Sequence, residues 1–115
     1  MINNIIILDN GGETFDRYTI IDSNTGEMFG ASNDPFSPLG FGQWVGNVAD
    51  NYWRVAYGYG WRKGCTQSLL KRRIAFAVEH LLNDCAHIGR KVDFDCLPAK
   101  VQNYALRCTQ IEVLN

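Results

Sequence analysis

The sequence predicts a single α+β domain, in which an N-terminal antiparallel β-meander is followed by one long amphipathic helix and a shorter C-terminal helix. Both helices are expected to pack on one face of a mainly antiparallel sheet. Short apolar runs separated by turn residues fill the first third of the chain, and one long helical pattern occupies residues 66–88. The 115 residues suit one domain of ordinary size, which we expect to span residues 1–115.

The meander begins with an apolar run at residues 5–8 and continues with an aromatic and β-branched run at residues 15–21. Between them, Asn10 and Gly11 favour a type I′ turn, because both central positions of that turn need positive φ. This acidic segment would also suit a phosphate-binding hairpin, but the two-lobed fold that uses such a hairpin needs a much longer chain. We therefore predict a plain hairpin, followed by a third short strand at residues 27–31.

The middle of the chain combines large apolar side chains with many glycines and prolines. Residues 33–47 predict an ordered, packed loop with one helical turn near Gln43, since proline and glycine at this density oppose a long regular element. Residues 51–64 interleave aromatic and basic side chains. Their glycines favour a strand or an irregular ribbon over a long helix.

The most regular pattern is that of residues 66–88, where apolar residues recur at steps of three and four and predict a helix. Residues 91–96 alternate apolar and acidic side chains, which is typical of a strand with one solvated face. Pro98 suits the first position of the second helix. A last short strand is predicted at residues 110–114.

The net charge of −1 hides an uneven distribution along the chain. Residues 1–50 carry one basic and seven acidic residues, whereas residues 51–91 carry eight basic and two acidic residues. Unless folding interleaves these two segments, the protein will show an acidic face and a basic face. An acidic face could imitate nucleic acid.

The apolar runs are far shorter than a membrane span, and no basic segment precedes the first of them, so we expect a cytoplasmic protein without a membrane partner. The four cysteines include no CxxC pair. This spacing favours reduced thiols over a disulfide framework or a zinc site.

One helical stripe could supply metal ligands. His80, Asp84 and His87 lie at i, i+4 and i+7 of the long helical pattern, and imidazole and carboxylate groups suit zinc or iron. A small metal-dependent enzyme is therefore one alternative. No nucleophile elbow and no phosphate-binding loop is present, so the sequence favours a protein that is not an enzyme and predicts no cofactor.

The basic and aromatic part of the chain, residues 52–73, is the stronger functional candidate. Basic side chains neutralise phosphates and aromatic rings stack on bases, a composition that suits single-stranded nucleic acid. Tryptophan, tyrosine and arginine also dominate protein interfaces, and the rings could instead be core residues beneath solvated charges. The candidate partner-binding residues are Trp53, Arg54, Tyr57, Tyr59, Trp61, Arg62 and Lys63, together with Phe36, Phe41 and Trp44 of the preceding loop.

Two stretches carry a resemblance: ILDNGGETFDRYTIID and EMFGASNDPFSPLGFGQWVGN within residues 7–47, and LPAKVQNYALR at residues 97–107. They resemble a family of small uncharacterised phage and mobile-element proteins that share an LDNGG…DRYT opening, an NP.SP.GF.Q loop and an LP..VQ.A helix. The resemblance implies a phage or mobile-element origin, makes residues 33–43 a family feature, and implies no catalytic residue. We therefore expect a non-enzymatic accessory protein that binds a macromolecular partner, a host or phage protein, as an inhibitor or nucleic-acid mimic.

Overall fold

The computed structural model describes residues 4–11, 16–32, 42–84 and 89–114. Five strands form one antiparallel sheet in the order β4-β3-β2-β1-β5. The elements are β1 (Ile5–Asp9), β2 (Tyr18–Asp22), β3 (Glu27–Ala31), β4 (Gly42–Asn47), α1 (Val48–Tyr57), α2 (Gln67–Asp84), β5 (Arg90–Val92), a 3-10 helix (Phe94–Cys96) and α3 (Ala99–Leu114). The predicted α+β class, with its N-terminal meander, long middle helix and C-terminal helix, is confirmed.

The central strands β1 and β2 bury apolar side chains on both of their faces. Ile7 and Ile20 lie opposite each other and belong to the core beneath α3. Leu8 and Ile21 follow them along the chain and belong to the core beneath α1 and α2, because successive strand residues point to opposite faces. The helices therefore cover both faces of the sheet, whereas the sequence analysis placed them on one.

Each face has its own apolar core. The helical residues that close the first face, together with the segment leading into α3, are Leu97, Val101, Tyr104 and Ala105. Those that close the second face are Val48, Ala49, Trp61, Ile74, Ala77 and Val78.

The connection from β1 to β2 is longer than the predicted two-residue turn. The strands separate after the Asp9–Tyr18 pair, so residues 10–17 form the connection. Gly11 has a φ of +102°, but Asn10 keeps negative φ, which excludes the predicted type I′ turn. The Asn10 amide instead donates to the Asp16 carbonyl oxygen at 3.1 Å and to the Thr19 hydroxyl at 2.8 Å. The side chain of Asn10 thus holds the connection closed.

An ion pair joins the two ends of this connection. The Asp9 carboxylate accepts hydrogen bonds from Arg17 Nε at 2.6 Å and Arg17 Nη2 at 3.0 Å, and also from the Gly11 backbone N–H at 2.9 Å. The Arg17 hydrogen bonds above all, and then that of Gly11, hold the pKa of Asp9 below its ordinary value. The carboxylate is thereby kept charged and paired.

Folding interleaves the acidic and basic segments of the sequence. Arg90 in β5 lies opposite Asp9 in β1, and Arg62 Nε donates to Asp50 Oδ1 at 3.0 Å. Asp22 is buried and accepts a hydrogen bond from the Asn24 backbone N–H. Among the described residues, much of the acidity of the first segment is therefore neutralised or buried rather than gathered on one face.

Two elements of the middle region differ from the sequence predictions. Residues 42–47 form the edge strand β4, where a packed loop with a helical turn near Gln43 was expected, and residues 33–41 of that loop lie outside the described residues. Residues 48–57 form α1, although residues 51–64 were expected to form a strand or irregular ribbon. Asn47 caps α1 by accepting hydrogen bonds from the Ala49 and Asp50 backbone N–H groups. Gly58, at φ +76°, ends it, so the glycines at 58, 60 and 64 all lie beyond the helix rather than inside it.

The C-terminal region also differs. The predicted strand at residues 91–96 is a three-residue strand followed by the 3-10 helix. The predicted last strand at residues 110–114 is wrong, because α3 continues to Leu114. Its apolar residues recur at helical spacing from Val101 onward, and this pattern outweighs the strand preference of the final residues.

Three of the four cysteines can be placed in the structure. Cys65, Cys96 and Cys108 are free thiols, of which Cys96 is exposed, while Cys85 lies outside the described residues. Within the described part of the chain, no helix has the length and apolar character needed to cross a membrane.

Gly89→Ala is expected to lower the free energy of unfolding by about 1–3 kcal/mol, the usual cost of forcing extra volume into a packed site. A Cβ at this position would lie 2.5 Å from the Asp9 carbonyl oxygen and closer still to the Asn10 side chain. Urea unfolding followed by circular dichroism measures the change. Gly60→Ala is the matched control, because its Cβ would meet only the Lys63 side chain at 3.6 Å. Equal stability of the Gly89→Ala variant and wild type would contradict the packing described.

Asp9→Asn is expected to destabilise the protein at neutral pH, with a difference from wild type that shrinks as the pH falls below about 4. Because the folded-state pKa of Asp9 is depressed, its carboxylate contributes stability above the unfolded-state pKa and loses it as the pH falls through the folded-state pKa. Unfolding curves of both proteins at several pH values test this. A difference that is constant from neutral to acid pH would contradict the ion-pair account.

Candidate partner-binding surface

Helices α1 and α2 pack against each other over one face of the sheet and set the position of the basic and aromatic segment. Val48 and Ala49 bury the first turn of α1 in the same core as Ile74 and Ala77 of α2. The Asn47 amide donates to the Thr25 carbonyl oxygen at 3.0 Å and fixes the start of α1 to the β2–β3 turn. Further along α1, Tyr52 and Trp53 pack against the same core, while Arg54, Val55 and Tyr57 are exposed.

Trp61 belongs to the core rather than to the exposed surface. It is 4% exposed, and its indole N–H donates to Asp50 Oδ1 at 3.0 Å. The Arg62 guanidinium lies 4.5 Å from the Trp61 ring centre and bonds the same aspartate. Among the predicted contact residues that the structure describes, Trp61 is the one that is buried, so its ring offers a partner almost no surface.

Trp53 anchors a stack of side chains between the two helices. Its indole N–H donates to the Arg73 carbonyl oxygen at 2.8 Å, and the Tyr57 ring stacks on it at 5.8 Å between centroids. The Arg73 guanidinium lies 5.3 Å from the Trp53 ring centre and 4.9 Å from that of Tyr57. One arginine of α2 is thus held against two aromatic rings of α1.

Several rings of this region are open to solvent. Tyr57 is 59% exposed, Tyr59 is 87% exposed and Phe76 is 52% exposed. The Arg54 guanidinium lies 5.2 Å from the Tyr59 ring centre. We name as the aromatic–arginine surface the half-buried and exposed residues Trp53, Arg54, Tyr57, Tyr59, Arg62, Arg73 and Phe76.

A shallow groove of about 320 Å³ lies within this surface. Its lining residues are Asp50, Arg54, Tyr59, Trp61 and Arg62. Asp50 is already bonded to Trp61 and Arg62, whereas Arg54 forms no ion pair with any described residue. The groove therefore presents one uncompensated guanidinium beside an exposed ring.

Basic residues surround the aromatic–arginine surface. Lys63, Lys71 and Arg72 are exposed, and within the described chain none of them forms an ion pair. The surface is therefore positively charged around apolar rings.

Two residues of the surface come from α2 and are not among the predicted contact residues. Arg73 is the last residue of the candidate segment 52–73, and Phe76 lies just beyond that segment. The sequence does carry a signal for exposure of Phe76, because this large aromatic residue lies outside the apolar stripe formed by Ile74, Ala77 and Val78.

The second candidate group is only partly placed. Trp44 lies in the edge strand β4 and is 59% exposed, and Val45 beside it is also exposed, where the β3–β4 register is irregular. Phe36 and Phe41 lie outside the described residues. Trp44 therefore stands on the sheet edge, in a different element from the aromatic–arginine surface.

The candidate metal ligands form one short contact. His80 Nδ1 lies 2.9 Å from Asp84 Oδ2, and the His80 ring lies 4.8 Å from that of Tyr52. His87 lies outside the described residues. Across residues 4–11, 16–32, 42–84 and 89–114, no group of three histidine, cysteine or acidic side chains could hold a metal ion.

Trp61→Ala is expected to lower the free energy of unfolding by about 3–5 kcal/mol, because it leaves a cavity in the core and removes a partner of Asp50. Tyr59→Ala, two residues away, is expected to cost less than about 1 kcal/mol, since only an exposed cation–π contact is lost. Urea unfolding followed by far-ultraviolet circular dichroism compares the two variants. Similar losses for both would contradict the burial of Trp61 and the exposure of Tyr59.

No protein-family model, curated protein or solved structure matches this chain. The resemblance to small phage and mobile-element proteins stays a prediction, because nothing in these comparisons bears on it. The residues of the aromatic–arginine surface are therefore the basis for a functional proposal.

Proposed function

We propose that this protein is a non-enzymatic cytoplasmic accessory protein, of phage or mobile-element origin, that binds an acidic protein partner through the aromatic–arginine surface. One observation carries the proposal: Tyr57, Tyr59 and Phe76 are exposed beside Arg54 and Arg73, two arginines that form no ion pair with any described acidic residue. Exposed rings of this size in a group are typical of interaction sites.

The chemistry of the surface suits a protein interface. Tyrosine, tryptophan and arginine are the residues that contribute most binding energy at such interfaces. The guanidinium groups of Arg54 and Arg73 already rest on aromatic rings, so little conformational freedom remains to be lost when a carboxylate docks on them. The charge of the surface favours a partner rich in aspartate and glutamate.

Capture from a host lysate tests this proposal. Arg54→Ala is expected to reduce recovery of the partner at least about tenfold if Arg54 is an interface hot spot. Arg107→Ala is the matched control, since Arg107 is also exposed and stacked on a tyrosine, Tyr104, but lies in α3 on the other face. A partner lost equally with both variants, or with neither, contradicts the proposed surface. Loss of the captured partner with Trp44→Ala alone would place the binding site at the sheet edge.

Single-stranded nucleic acid is the second candidate partner. The groove that contains Tyr59 favours it, because an exposed ring between Arg54 and Arg62 could stack on a base while the guanidinium groups contact phosphates. The burial of Trp61 leaves this groove with one exposed ring for stacking instead of two.

Fluorescence anisotropy with labelled single-stranded DNA and RNA tests the second candidate. Binding is expected to weaken steeply as salt rises and to fall at least about threefold in Tyr59→Ala, since stacking on one base contributes ~1–3 kcal/mol. Arg107→Ala again serves as the control. Absence of binding at low salt removes the nucleic-acid candidate and leaves the protein-partner proposal untouched.

A further inference from the structure

A second basic site lies on the far side of the sheet from α1 and α2. A groove of about 420 Å³ runs beside the β1–β5 pair and the 3-10 helix. Its charged lining residues are Asp9, Arg17, Arg90, Lys91 and Asp93. Tyr18, Val92, Cys96 and Leu97 complete it. The aromatic–arginine surface shares no residue with this groove.

Arg17 is held in a fixed orientation at the groove. Asp9 binds it through Nε and Nη2, so the guanidinium plane is set by two parallel hydrogen bonds. A guanidinium group has five N–H donors, and Asp9 uses two of them. Among the described residues, no acceptor other than Asp9 bonds Arg17. The remaining donors can therefore bind a second anion in a fixed geometry.

Two more cations line the groove. Arg90 lies opposite Asp9 across β1 and β5, on the same face of the sheet. Lys91 also lines the groove, but it lies opposite Leu8, so its side chain starts from the other face of the edge strand β5. Both are exposed, and neither forms an ion pair within the described chain. Of the two acids at the groove, Asp9 is already engaged by Arg17, which leaves Asp93 to oppose Arg90 and Lys91. The local charge therefore favours an anion.

We propose that this groove binds a phosphate-bearing small molecule. Arginine in a fixed plane recognises phosphate oxygens in pairs, and lysine adds a compact positive charge beside them. A phosphate group offers three acceptor oxygens and up to two negative charges, so it can meet the spare donors of Arg17 and the Arg90 guanidinium together better than a carboxylate can. The apolar atoms of Val92 and Leu97 offer a wall for the rest of the ligand, and the groove volume falls within the range of small-molecule sites.

Cys96 provides a direct reporter of occupancy, because it lines the groove and its thiol is exposed. The rate of its alkylation by N-ethylmaleimide, a neutral reagent, is measured on the Cys96 peptide by mass spectrometry as pyrophosphate or adenosine 5′-triphosphate is added. Sodium chloride at matched ionic strength controls for screening. We expect both phosphate compounds to slow the alkylation of Cys96 in a saturable way, and we expect sodium chloride not to slow it. Tighter protection by the nucleotide would assign the apolar wall to its base and sugar.

Variants decide whether the protection comes from the proposed residues. Arg90→Ala, an exposed change, is expected to raise the half-protecting concentration about tenfold, as loss of a hydrogen bond to a charged group would. Arg17→Lys keeps the charge but loses the paired donors, and is expected to have a similar effect. Lys71→Ala on α2, an exposed cation outside the groove, is the control for loss of one positive charge and is expected to leave the protection unchanged. Absence of saturable protection in wild type, or equal protection in wild type and Arg90→Ala, overturns the proposal.

Discussion

The pairing of β1 with β2 brings apolar side chains to both sides of the sheet centre, and each helix lies where it can cover one of those sides. The side chains of Ile7 and Ile20 must be buried on one face of the sheet. Those of Leu8 and Ile21 must be buried on the other. Full burial of such a side chain contributes about 1.5–3 kcal/mol relative to exposure, so neither face can stay open. Helix α3 covers the first and α1 with α2 the second, which makes the sheet the middle layer of three.

This layering decides which charged residues meet. Strand β5 adds to the free edge of β1 and brings Arg90 beside Asp9, although these residues are far apart in the sequence. The Asp9–Arg17 ion pair closes the hairpin from inside and leaves the arginine fixed in one plane. Asp9, one of the acidic residues of the first segment, is neutralised in this way.

The aromatic–arginine surface follows from the same arrangement. Val48 and Ala49 are buried in the second core and Tyr52 and Trp53 pack against it, while Val55, Tyr57 and Tyr59 stay exposed. The Trp53 indole N–H donates to the Arg73 carbonyl oxygen and so joins α1 to α2. Tyr57, Arg73 and Phe76 then form one continuous group of contacts around Trp53. The packing of α1 against the core and α2 thus leaves a group of rings and guanidinium groups at the surface.

The sequence by itself determined the α+β class, the meander, the long middle helix and the segment that supplies most of the candidate surface. Those features depend on local periodicity and composition, which a chain carries wherever it folds. Tertiary structure decided where α1 begins relative to the sheet, because the Asn47 amide donates to the Thr25 carbonyl oxygen of the β2–β3 turn. It also decided that Trp61 is buried while Tyr59, two residues earlier, is exposed. Trp61 packs in the core and donates to Asp50, whereas the Tyr59 ring lies at the surface. Burial is a property of the packed layers, and the amino-acid pattern of a turn does not contain it.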